Sequence, residues 1–149
     1  MRTLSAAMTF LTAAFLAAPA MAQDKPNLSG SWQFDSSKSE LHNFKVTSAT
    51  WLIDEGDNSI HITETEDGKS KKTELKCTTD GKDCQESGGE KAKASFWYNG
   101  PMLVEMETKG DHVMRYRLKM GDDGKSLRVE VTSIVPKVDE SDVLMFSKL

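Results

Sequence analysis

Apolar and polar residues alternate with a period of two along most of the chain beyond residue 28. Trp32 and Phe34 stand between Ser31, Gln33 and Asp35, and Ala49, Trp51 and Ile53 between Thr50, Leu52 and Asp54. Ile60 and Ile62 flank His61; Ala94, Phe96 and Tyr98 share one parity, as do Met102, Val104 and Met106. Met114, Tyr116, Leu118 and Met120 oppose Val113, Arg115, Arg117 and Lys119, and Leu127, Val129 and Val131 oppose Arg128, Glu130 and Thr132. Successive side chains of a strand point to opposite faces, so the pattern predicts half-buried antiparallel sheet, apolar inside and charged outside. It places Glu105 and Glu107 on the solvent face, with Arg115 and Arg117 as their cross-strand partners. Glu64 is the exception: it continues the parity of Ile60 and Ile62 and points inward at a cavity mouth. Residues 70–77, dominated by Lys71, Lys72 and Lys76, read as a solvated edge or hairpin arm. The run from Asp142 to Leu149 is apolar on both parities between Val143 and Phe146, which leaves its faces unassigned.

Turn signals punctuate these runs. Asp-Gly-Lys recurs at 67–69, 80–82 and 123–125, and Asn99-Gly100-Pro101 and Lys109-Gly110-Asp111 add two more. Glycine accepts the positive φ of tight hairpin turns, and Asp or Asn tolerates it. The spacing is not periodic, so this is repeated hairpin chemistry rather than a solenoid. Ser36 to Phe44 fits a turn or short helix with Leu41 and Phe44 on one face. Eight or nine strands joined by short loops predict an all-β fold: an antiparallel up-and-down meander closing into a barrel, with a β-sandwich as the alternative.

The first 22 residues carry a different pattern. Arg2 precedes an apolar stretch from Ala6 to Ala18, Pro19 breaks it, and Ala20-Met21-Ala22 supplies a small-x-small cleavage site. This reads as a Sec-type signal peptide cut after Ala22, leaving one domain over 23–149 in a periplasmic or secreted protein. The apolar stretch is short for a bilayer span, and no membrane-spanning segment is expected after cleavage. The formal net charge of −4 becomes one unit more negative when Arg2 is removed, which argues against a nucleic-acid partner. Two cysteines, Cys77 and Cys84, flank Asp80-Gly81. A two-residue turn there brings them opposite each other, so a disulfide is expected in an oxidising compartment. A redox-active pair is the alternative, without the C-x-x-C spacing or helix N-terminus that lowers a thiol pKa.

The three histidines, His42, His61 and His112, show no metal-ligand spacing. No nucleophile elbow, phosphate loop or dinucleotide fingerprint is present, so no catalytic residue, cofactor or metal is expected. Copper held by methionine thioethers lacks a Met-x-x-Met run. An enzyme would need inward polar groups converging in a pocket, for example Glu64 with Tyr98 or Tyr116. The inward parity instead collects rings and thioethers, and methionine adapts to irregular space. Trp32, Phe34, Trp51, Phe96, Tyr98, Met106, Met114 and Tyr116 form the candidate lining of an apolar pocket for a lipid-like or aromatic small molecule. The competing expectation is an envelope interaction protein whose core is filled by side chains alone.

The opening Leu28-Ser29-Gly30-Ser31-Trp32-Gln33-Phe34 resembles the Gly-x-Trp first strand of the lipocalin/calycin group. The order Leu-Ser-Gly-x-Trp, then Asp35 and Lys38-Ser39, then Asp-Gly-Lys hairpins, is similar to small exported lipocalin-like bacterial proteins. That resemblance implies a barrel with the tryptophan plugging its closed end and an apolar ligand cavity inside.

Overall fold

A computed structural model describes residues 25–66, 72–88 and 91–149; the expected signal peptide, its cleavage site and the Asp67-Gly68-Lys69 turn lie outside them. Among the described residues ten strands run in sequence: β1 (Gly30–Phe34), β2 (Ala49–Glu55), β3 (Ser59–Glu66), β4 (Lys72–Thr78), β5 (Asp80–Ser87), β6 (Lys93–Asn99), β7 (Met102–Lys109), β8 (His112–Met120), β9 (Ser126–Val135) and β10 (Asp142–Lys148). Each pairs antiparallel with its neighbours in sequence, and β1 pairs with β10, so the meander closes into a barrel rather than a sandwich. The count of ten corrects the eight or nine expected. The strand left out of that count, β5, shields only Cys84 and Glu86 even partly, so only the Asp80-Gly81 hairpin, and no apolar alternation, announces it. Nor is β4 an edge. It pairs with β3 through seven residue pairs and with β5 at Glu74 and Leu75, and the Cys77–Cys84 disulfide, with Cα atoms 5.4 Å apart, ties β4 to β5. That bridge stands where the Asp80-Gly81 turn predicts it.

Two hairpins set the register of the opposite wall. Gly100 and Pro101 alone separate the paired residues Asn99 and Met102, and Gly110 and Asp111 alone separate Lys109 and His112. Both glycines take left-handed backbone, at φ 59° and 62°. With two-residue loops the pairing has no freedom to slip, and a slip of one would exchange the faces. Phe96 therefore lies opposite Glu105, and Leu103 lies opposite both Tyr98 and Leu118. Phe96, Leu103 and Leu118 are fully buried, so Glu105 and Glu107 point into the barrel and Met102, Val104 and Met106 point out. This reverses the faces expected for β7. Arg117 does face outward, but its partner is Glu130 on β9, at 3.2 Å.

One end of the barrel is tied to the segment that precedes β1. There Trp32 is fully buried and its indole N–H donates to the Leu28 carbonyl at 2.9 Å. Glu55, at the end of β2, accepts from the Leu28 backbone N–H at 2.8 Å and from the Tyr98 hydroxyl, and pairs with Lys25 at 2.9 Å. The segment before β1 is thus tied across this end. Lys148 lies over the Trp32 ring, 5.3 Å from its centroid. A Cβ on Gly30 would stand 2.6 Å from Lys148 Cε, so glycine permits that approach. Truncating a large buried ring leaves a cavity and costs about 3–5 kcal/mol. Trp32→Ala should lower the urea-derived unfolding free energy by about that amount with the disulfide intact. A loss below roughly 1 kcal/mol would show that the ring is not the packing centre of this end.

Candidate functional site

The other end is covered by the β1–β2 connection, and local chemistry explains its course. Asp35 caps a single turn of 3-10 helix, Ser36–Lys38, which replaces the longer helix or turn expected to Phe44. Glu40 then bridges to Val143 of β10 through two backbone hydrogen bonds of 2.8 Å. One step along β10, the buried Asp142 carboxylate accepts from the backbone N–H groups of His42, Asn43 and Phe44 at 2.5, 2.8 and 3.1 Å. Burial alone would raise the Asp142 pKa; the three amides and the Asn43 side chain outweigh it and hold it below the usual carboxylate range. A charged acceptor thereby fixes the turn that carries Phe44 and Val46 across the mouth.

Beneath that turn lies a cavity of about 520 Å³ with two unlike walls. Phe44, Val46, Trp51, Leu144 and Phe146 form an apolar wall from the connection, β2 and β10. Trp51 and Phe146 pack with ring centroids 4.6 Å apart, and Phe34 meets Phe146 edge-on at 5.7 Å. Facing them are Glu64 and Thr73 from β3 and β4, Glu107 from β7, and Met114 and Tyr116 from β8. Lys109 and His112 flank the β7–β8 turn at the same cavity. Below this wall Glu105 is 3% exposed.

Of the eight sequence-predicted lining residues, Trp51, Met114 and Tyr116 meet at the cavity. Trp32, Phe34 and Phe96 are in the packed core beneath it, and Tyr98 is bound to Glu55 at the far end. Met106 lies on the outer face, opposite Ser95 and Arg115, because the hairpin register turns it there. Glu64 stands at the cavity, as its parity predicts. Sequence reasoning missed Glu107, Phe44, Val46, Leu144 and Phe146. Counting pairs back from the Gly100-Pro101 turn would have found Glu107.

The carboxyls of the inner wall titrate abnormally. Burial, with repulsion from Glu107, Glu86 and Glu66, pushes Glu64 up to about 8. Burial followed by the Glu64 and Glu107 charges holds Glu105 well above the ordinary range. Glu107 is raised by burial and by Glu86, against an opposing pull from Lys109. Tyr116, buried among these groups, is likewise raised. At neutral pH Glu64 therefore keeps its proton, which is how a barrel interior holds several carboxyls together. Among the described residues no three His, Cys, Asp or Glu side chains are placed to hold a metal, and no helix is long and apolar enough to cross a membrane.

Neither a protein-family model nor a curated protein sequence matches the chain. Solved structures do match. The chain is similar to a secretary abundant heat soluble protein from Ramazzottius varieornatus, with TM-score 0.66 and 12% identity over 82% of this chain and 95% of that one. It is similar to fatty-acid-binding protein 1 of Echinococcus granulosus, with TM-score 0.64 and 15% identity over 82% and 97%. A fatty acid transporter, REP1-NXSQ, matches with TM-score 0.63 and 18% identity over 82% and 96%. At such identities the likeness is one of fold: an antiparallel calycin-like β-barrel.

The raised carboxyls give a stability prediction. Unfolded, Glu64 loses its proton near the ordinary glutamate value of 4.5; folded, it keeps it until about pH 8. Its contribution to stability is complete below the unfolded value and is lost as pH rises through the folded one. Asp142 acts in the opposite sense only at lower pH, since its folded value is depressed. The unfolding midpoint should therefore fall between pH 5 and pH 8, and Glu64→Gln should flatten that slope. A midpoint that holds level or climbs over this interval would contradict the buried placement of these groups.

Proposed function

We propose that the protein is an exported, non-catalytic binding protein for a small molecule with a substantial apolar part. The observation that carries this reading is the cavity lined by Phe44 and Val46 of the β1–β2 connection together with strand residues, which offers an aromatic and aliphatic wall. Its volume lies within the range of small-molecule sites, roughly 300–1,000 Å³. A barrel interior filled by side chains, as the interaction-protein reading requires, would leave no such space. That reading would use the outer face or an open sheet edge, and the closed barrel leaves it only the outer face.

The compartment follows from separate features. Residues 1–22 have the n-region, apolar stretch and cleavage pattern of a Sec-type signal. The Cys77–Cys84 disulfide fits an oxidising periplasmic or extracellular location. Two of the barrels it resembles are, by name, a fatty-acid-binding protein and a fatty acid transporter, which supports binding over catalysis. The lining set is revised on the observed geometry to Phe44, Trp51, Met114, Tyr116, Leu144 and Phe146.

The test uses chain 23–149 with its disulfide formed and the neutral fluorophore N-phenyl-1-naphthylamine. Saturable fluorescence enhancement at one site per chain is expected. Met114→Trp should weaken it about tenfold or more by filling the cavity, equivalent to about 1.4 kcal/mol. Enhancement that never saturates, or that the tryptophan leaves untouched, would count against the cavity as the site.

A further inference from the structure

The polar half of the cavity points to the chemistry of the ligand's head. The inner wall presents carboxyls from two separate strands, Glu64 on β3 and Glu107 on β7, with the Tyr116 hydroxyl beside them. Tyr116 is half-buried at this wall. Glu105 lies almost fully buried below them. The opposing wall is the Trp51–Phe146 ring pair. Aromatic faces attract cations through their quadrupole, and carboxylates do so by charge. Both walls therefore favour the same kind of group. The carboxyls do not converge as a metal site does, so the cation they suit is a larger organic one.

Resting on the binding reading above, we propose that the ligand is a lipophilic ammonium: an apolar body against Trp51 and Phe146, with a protonated amine directed at Glu64, Glu107 and Tyr116. A fatty carboxylate placed in the same way would set its charge against those carboxyls. The cations of the site, Lys109 and His112, line the same wall at its rim, one inward pair nearer the β7–β8 turn than Glu107 and Met114, so an amine directed at Glu64, Glu107 and Tyr116 sits deeper than they do.

A pH signature follows. The groups facing Glu64 across the barrel are Glu86 of β5, Glu105 and Glu107 of β7, and Tyr116 of β8, and Glu66 stands on its own strand. Lys109 acts on Glu107 in the opposite sense. Thr73 on β4 and Trp51 on β2 add no charge to the wall. An ammonium ion stabilises the ionised carboxylate, so binding expels a proton. Affinity for the amine should rise from pH 6 to pH 8, by up to about tenfold per unit for each proton released.

The experiment displaces N-phenyl-1-naphthylamine from the wild-type protein with decylamine, decanol and decanoate at pH 6 and pH 8. Decylamine is expected to compete about tenfold or more better than decanoate at pH 8, with decanol between them, and to gain strength from pH 6. Glu64→Gln and Glu107→Gln, alone and combined, should shrink the amine-to-alcohol ratio, while Glu130→Gln on the outer face should leave it unchanged. Decanoate competing as well as the amine while the fluorophore binds normally would overturn the ammonium proposal and leave the binding reading standing. If the fluorophore does not bind and none of the three compounds raises the unfolding midpoint, the binding reading falls as well.

Discussion

The arrangement of this barrel depends on the two-residue loops at Gly100-Pro101 and Gly110-Asp111. A closed sheet distributes a constraint around its whole circumference, because each strand is paired on both sides. Once Asn99 is held against Met102 and Lys109 against His112, the faces of β6, β7 and β8 are coupled. Turning Met102, Val104 and Met106 inward would require a one-residue slip. That slip would expose Leu103, which now packs between Tyr98 and Leu118, or would force a bulge into one of the hairpins. Burying Leu103, Phe96 and Leu118 together therefore carries Glu105 and Glu107 inside with them.

The polar interior is a consequence with a physical remedy. Ionised carboxylates so close in an apolar wall would repel one another and lack solvation, and protonation removes both costs. Asp142 shows the reverse solution with the same functional group. It too is buried, but three backbone N–H groups converge on it, so its charge is favoured and serves to anchor the mouth. One acidic side chain thus works as a structural anion, and Glu64 as neutral lining at pH 7. The difference is set by donors, not by depth.

Much of the architecture was legible in the sequence for reasons that can be named. The alternation from Trp32 to Val131 declares sheet, the short glycine turns declare a meander, and Asp80-Gly81 places Cys77 opposite Cys84. The site was less legible. β7 has two readings, apolar Met102/Val104/Met106 or mixed Leu103/Glu105/Glu107, and hydrophobicity chooses the first. Turn geometry chooses the second, and it prevails because a hairpin register is not negotiable residue by residue. Outward Val104 is nonetheless buried, at 4% exposure, so an apolar residue on the outer face is no guide to parity here. The Phe44–Val46 turn was invisible because its position depends on Asp142, about a hundred residues away in sequence, and no local pattern records that contact. In β10 the apolar residues Val143 and Met145 fall on the outer parity, so alternation could not show that Leu144 and Phe146 face the cavity.

Fold likeness and site chemistry separate at this point. The barrels that match this one share its course of chain at 12–18% identity, which leaves the interior residues free to differ. A barrel supplies enclosure; what it encloses is decided by the side chains on the inward parity. Here that parity carries carboxyls and a phenol against stacked rings. With Glu64 protonated at pH 7 this wall is less charged than its composition suggests, and an entering cation would favour the ionised form because its charge offsets the repulsion that keeps the proton on. Charge complementarity would then be made at the moment of binding rather than held in the empty protein. That resolves the apparent conflict between an acidic wall and a stable apolar barrel.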